Sequence, residues 1–136
     1  MKNQLIRNLS VALLAAASMY AQGSQKLTVQ VPFGFHVGSS TLPSGEYTVD
    51  TDAAPGIVRL RSTYSTSTVM IQSMSVQAHS VPSQGKLIFN KYGDEYFLSQ
   101  IWKAGNNTGN ELRKSRREAE VAASVRRGIQ SILASQ

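Results

Sequence analysis

The sequence predicts a mainly β protein: a small antiparallel β-barrel or closed β-sandwich of about seven or eight strands with one C-terminal α-helix, preceded by a signal peptide. Three observations predict it. Apolar residues alternate with period two from Leu27 to Val37, turn-forming Pro and Gly clusters recur between short apolar runs, and helical spacing begins only after residue 115.

The N-terminus sets the expected compartment. Lys2 and Arg7 precede an apolar run from Leu9 to Tyr20, and small residues follow at Ala21 and Gly23. Basic, apolar and small-residue regions in that order are the pattern of a secretory signal peptide over 1–23, cleaved between Gln22 and Gln25. A spanning helix needs about 20 apolar residues, and this run is shorter. The expected location is therefore periplasmic or extracellular. Removing 23 of 136 residues leaves 113 (136 − 23), enough for one domain with a modest core. With no cysteine in the chain, neither a disulfide framework nor a thiolate metal site can form.

Charge is uneven along the remainder. Residues 24–110 are nearly balanced, whereas 111–136 carry Arg113, Lys114, Arg116, Arg117, Arg126 and Arg127 against Glu111, Glu118 and Glu120. Any preference for anionic partners sits in that tail. The expected organisation is a signal peptide over 1–23, a β-barrel or sandwich domain over 24–110, and a basic amphipathic helix over 111–136 packed on it.

Leu27, Val29, Val31, Phe33, Phe35 and Val37 share one face, and Pro32 interrupts the run because it has no N–H to give to a ladder. One long bent strand is expected there. Pro43-Ser44-Gly45 makes a turn into a strand carrying Tyr47 and Val49, and 52–56 makes the next. Val58 and Leu60 point inward, while Arg59 and Arg61 give that strand a basic outer face. Between Thr66 and Ala78 the apolar phase changes, which predicts a β-bulge near Gln72. Tyr92-Gly93-Asp94 reads as a compact hairpin between Leu87-Phe89 and the most apolar strand, 95–103, which is apolar on both faces. Such a strand must be buried on both, by core and helix or by a second subunit as a homodimer. The Gly105–Asn110 stretch reads as a polar loop.

Ser115 lies three residues before Glu118, the spacing of a capping box. Val121, Val125, Ile129 and Ile132 recur at helical spacing, so the helix lays one stripe on an apolar surface and turns Arg116 and Arg127 outward. Arg116 and Arg127 are the candidate contacts for an anionic partner. Cations in the first turn oppose the helix dipole, which calls for an anionic partner or an acidic side chain brought close by the fold. The plainer reading is a solvated face with Arg116 paired to Glu120.

No catalytic, cofactor or metal residue stands out. His36 and His79 have no carboxylate or second histidine at ligand spacing, and no Gly-x-Ser-x-Gly elbow is present. Asp94 and Glu95 point to opposite faces of a strand and read as turn solvation. Phe33, Phe35, Tyr96, Phe97 and Trp102 read as core. Without a basic groove laced with aromatics, nucleic acid is a poor fit.

Val31-Pro32-Phe33-x-Phe35, Leu42-Pro43-Ser44-Gly45-Glu46-Tyr47, the run from Tyr92 through Leu98-Ser99-Gln100 to Trp102, and Ser115-Arg116-Arg117-Glu118 resemble a functionally uncharacterised family of small exported β-rich proteins common in acidobacteria. The resemblance implies a bacterial, extracytoplasmic protein and implies no activity or site residue. Arg113 departs from the proline expected before the helix. The expected function is a non-enzymatic envelope or secreted module that binds an anionic envelope component or a protein partner. The alternative is a small-ligand carrier or hydrolase-like enzyme with its site in the barrel mouth, which would need an internal pocket.

Overall fold

The computed structural model describes residues 13–18 and 26–134, with side-chain surroundings for 26–125. Most of the expected signal peptide therefore lies outside the described residues. Its described part, Leu13–Ser18, is a strand, β1. The others are β2 (Leu27–Val31), β3 (Phe35–Val37), β4 (Ser40–Leu42), β5 (Gly45–Ala54), β6 (Ile57–Ser62), β7 (Thr68–Gln77), β8 (Lys86–Tyr92), β9 (Glu95–Trp102) and β10 (Thr108–Leu112), followed by helix α1 (Arg116–Ala134).

The strands after residue 26 do not close into the expected antiparallel barrel or sandwich. The nine strands after residue 26 make one mixed sheet in the order β2-β5-β6-β7-β10-β9-β8, with the β3–β4 hairpin beside β9, and β2 and β8 do not pair with each other. Two features of the chain cause this. The alternating run from Leu27 does not stay one bent strand. It leaves the β5 ladder at Val31 and, beyond Pro32, rejoins the sheet on β9, where His36 pairs in parallel with Phe97. In addition, residues 26–112 contain no strand for the place between β2 and β8, which β1 occupies.

Inward residues fill the concave side. Leu27, Val29, Val31, Phe35, Val37, Tyr47, Val49, Val58, Leu60, Leu87, Phe89 and Ile101 are each no more than 2% exposed. Phe35 meets Tyr47 and Phe89 edge to face, and Phe33 stacks on Tyr96 with centroids 3.9 Å apart at one end of the core. Tyr47 donates its hydroxyl to the Pro43 carbonyl at 2.6 Å, and burial raises its pKa.

A bulge is present in a different strand from the one expected. The β8–β9 ladder pairs Ile88 with Gln100 and Phe89 with Leu98, so Ser99 is the extra residue. That slip puts Leu98 and Ile101 on the same, core-facing side and turns Phe97 outward. Strand β7 instead changes partner, from β6 through Gln72 to β10 from Ser73, and its exposure pattern shifts just beyond that change. The β8–β9 hairpin closes through Gly93-Asp94 with Gly93 at φ +62°, the type II′ arrangement that fits the strands' twist.

Part of the expected polar loop is strand. Residues 108–112 form β10 because β7 and β9 offer hydrogen-bond partners on its two sides. Gly109 lets the Trp102 indole lie against its backbone, since a Cβ there would come within 2.6 Å of the ring. Trp102 is 5% exposed and its Nε1 donates to Gln100 Oε1 at 3.0 Å.

Candidate functional site

The richest cluster of polar chemistry lies on the outer face of β3, β8 and β9, where α1 packs against Tyr92 of β8 and Phe97 of β9. Cross-strand pairs alternate between faces, so Asn90, Tyr92, Glu95 and Phe97 share this outer side. Ala122 is buried against Tyr92 and Phe97, with Val121 and Val125 half-buried beside it. Two of the four stripe residues therefore dock as expected; the side chains of Ile129 and Ile132 lie outside the described residues.

The helix start is held by Glu118. Ser115 Oγ accepts the Glu118 backbone N–H at 3.1 Å, the first half of the capping box. The Glu118 side chain, in a residue 4% exposed, turns inward, and its Oε2 accepts from Asn90 Nδ2 at 2.9 Å and from the Tyr92 hydroxyl at 3.0 Å. A carboxylate this buried needs such donors, and it ties the first turn of α1 directly to β8.

Beside it runs a relay of four residues. The Thr41 hydroxyl lies 3.0 Å from His36 Nδ1, His36 Nε2 lies 3.3 Å from Glu95 Oε1, and Arg117 Nη2 lies 3.2 Å from the same oxygen. The His36 ring also stacks on Phe97 with centroids 4.4 Å apart. A carboxylate only accepts, so the tautomer of a neutral ring that suits this geometry has its proton on Nε2 and accepts from Thr41 at Nδ1. Hydroxyl, imidazole and carboxylate thus lie next to one another. Sharing Glu95 with Arg117 makes the array equally a strap between β4, β3, β9 and α1.

The sequence reading treated His36 and Glu95 as separate and unremarkable. Only the parallel β3–β9 pairing, across 59 residues of chain (95 − 36), brings them together. The available signal was the alternation that turns His36 away from Phe35 and Val37. For the first-turn cations the expectation was nearer. Glu95 is the acidic side chain that meets Arg117, while Arg116 pairs with Glu120 at 3.4 Å and stays exposed. The Arg127 side chain lies outside the described residues. His79 is exposed in the segment after β7.

Two surface grooves flank the β10–α1 connection. One of about 330 Å³ is lined by Met74, Asn90, Glu111, Arg113 and Glu118 among others, and one of about 230 Å³ by Gly56, Gln72, Met74 and Arg113 among others. Both are open to solvent, and neither reaches the Phe35–Phe89 core. Among the described residues no group of three or more His, Asp or Glu side chains is placed to hold a metal ion. On the other side of the molecule Asp50 pairs across strands with Arg59 at 2.8 Å. Burial opposes ionisation of Asp50, but the Asp52 N–H, the Arg59 guanidinium and the charge of Lys26 outweigh it and lower its pKa.

Comparison of the chain with family models, with curated proteins and with solved structures gives no match in any of the three.

Proposed function

We propose that the protein is an exported, non-enzymatic binding or structural module of the bacterial envelope, acting in the periplasm or outside the cell. The observation that carries this reading is how the described residues fill the interior: Phe35, Tyr47, Phe89 and Ile101 occupy the inward side that a carrier would leave open for its ligand. What the molecule offers to partners is its surface. The order of basic, apolar and small residues over 1–23 supports export. Exposed Arg116 supports an anionic envelope component as one partner, with Arg127 as the second contact.

The test has two parts. Expressed in a bacterium, the protein is expected in the periplasm or medium with a new N-terminus between Gln22 and Gln25. Changing Arg116 and Arg127 together to Gln is expected to reduce retention on anionic vesicles at low salt without moving the melting temperature, and added salt is expected to weaken the wild type likewise. Retention of Met1, or equal vesicle binding by the two proteins, defeats the corresponding part.

The Thr41–His36–Glu95 array favours a second reading, a hydrolase-like activity. Turnover of p-nitrophenyl acetate by the wild type that is lost in Thr41→Val would replace the binding-module reading.

A further inference from the structure

One strand belongs both to the apolar stretch that marks the leader and to the sheet. Leu13–Ser18 pairs antiparallel with β8 through Leu13–Phe89, Leu14–Ile88, Ala15–Leu87 and Ala16–Lys86, and with β2 through Ala17–Val29 and Ser18–Thr28. It is the element that joins β2 to β8. Export with processing near residue 23, on which this inference rests, removes it. What remains is a slot with a strand edge on each side. Leu27, Val29, Leu87 and Phe89, each at most 1% exposed with β1 in place, border that slot.

We infer that the slot between β2 and β8 in the processed protein is a strand-acceptor site for an extended segment of a different polypeptide, apolar and small at alternate positions. Three observations select that occupant. The slot has two edges, and because β1 runs antiparallel to both, β2 and β8 run parallel to each other. An inserted antiparallel strand can do as β1 does, pairing its first four residues with Lys86–Phe89 of β8 and its last two with Thr28 and Val29 of β2, without moving either edge. The register then sets the side-chain chemistry. Positions 13, 15 and 17 lie opposite the core residues Phe89, Leu87 and Val29, and they are Leu, Ala and Ala. Positions 14, 16 and 18 pair with Ile88, Lys86 and Thr28, which alternate with those core residues along β8 and β2.

The processed chain has no replacement of its own among the described residues. The segment over 78–85 is broken by Pro82 and tied down, since the Ala78 N–H donates to the Asn107 carbonyl at 2.8 Å and the Gly105 N–H to the Pro82 carbonyl at 3.0 Å. A second processed copy offers its own β2 and β8 edges, which are held in their own sheet by β5 and β9 and so cannot leave it to fill the slot, and the three-residue edge strand β4, which is already paired to β3 and too short for the six positions of β1.

The experiment separates this inference from the reading beneath it. Intact mass of the protein recovered after export decides processing alone. In the full-length chain, which has no native cysteine, Ser18→Cys combined with Thr28→Cys is expected to close an intramolecular disulfide, and failure to close removes β1 from the slot whatever the processing. On the processed protein the probe is a labelled peptide of residues 11–20 with added C-terminal lysines for solubility. It is expected to bind. The same peptide with Ala15→Asp, which puts a charge on the core side, is expected to bind about tenfold or more weakly. Ala16→Asp, on the opposite face of the strand, should change binding by less than about threefold. Equal weakening by the two substitutions overturns the inference, as does absence of binding in a processed monomer, which means that β2 and β8 have sealed against each other. A processed protein that dimerises and refuses the peptide also overturns it, assigning the slot to a second copy.

Discussion

The two faces of the β8–β9 hairpin solve the same problem by different means. Inward, Leu87, Phe89, Leu98 and Ile101 meet only other apolar side chains, because the curved sheet covers them from many directions. Outward, Tyr92 and Phe97 are also buried, but by one helix and, over Phe97, the His36 ring, and that helix is anchored by polar bonds of Glu118 with Asn90 and Tyr92 and of Arg117 with Glu95. Dispersion and the hydrophobic effect have no direction, so a face enclosed on all sides needs nothing more. A single helix resting on a sheet needs directional bonds to set its position.

The sharpest way to break this comparison is to make the same deletion on each face. Phe89→Ala, at a position 0% exposed, should cost about 3–5 kcal/mol and unfold sheet and helix together in urea. Phe97→Ala, at 2%, should fall at the low end of about 3–5 kcal/mol and release the helical signal before the sheet signal. Coincident transitions in both variants would show that the helix is as integral as the core.

Next in size is Glu118→Ala. It removes the acceptor shared by Asn90 and Tyr92, and a loss of about 1–3 kcal/mol is expected in denaturant melts. Glu118→Gln, which keeps one acceptor oxygen, should recover part of it. Ser115→Ala should cost about 1 kcal/mol by exposing the Glu118 N–H, with hydrogen exchange faster in the first turn of α1 and unchanged in β6. A larger loss for Ser115→Ala than for Glu118→Ala would move the anchor from the carboxylate to the cap.

The smallest effect is in pH, away from both faces. The folded-state pKa of Asp50 is lowered, so its contribution is complete above the ordinary carboxylate value of 3.8 and is lost as pH falls through the lower folded value. Asp50→Asn should be less stable than the wild type at pH 7, and the difference should shrink in acid. A constant difference across that range would mean that Arg59 stabilises the strand pair by packing rather than by charge.

Much of the strand pattern was legible in the chain. The Leu27–Val37 alternation, the inward Val58 and Leu60, the Gly93 hairpin and the Ser115 cap all follow from local rules, and each is found. The strands after residue 26 do not close on their own into the barrel expected of them, because alternation tells which residues face inward and says nothing about which strand lies beside which. The bulge was placed in β7 on a phase change that is in fact a change of partner. The bulge at Ser99 left no local mark, since both faces of β9 are apolar and a one-residue slip there preserves the pattern.

By itself the sequence determined the inward face of nearly every strand, the start of the helix and, at Val121 and Val125, its docking side, and the exclusion of any chemistry that needs cysteine. Period-two and period-three-and-a-half hydrophobicity and capping act between near neighbours in the chain. Only the tertiary structure decided that β3 runs parallel to β9, that His36, Glu95 and Arg117 meet, that Glu118 is buried as an anchor, and that Leu13–Ser18 holds the place between β2 and β8. Each of these is a pairing between segments far apart in the chain, and such pairings are selected by how all the buried faces close on one another at once.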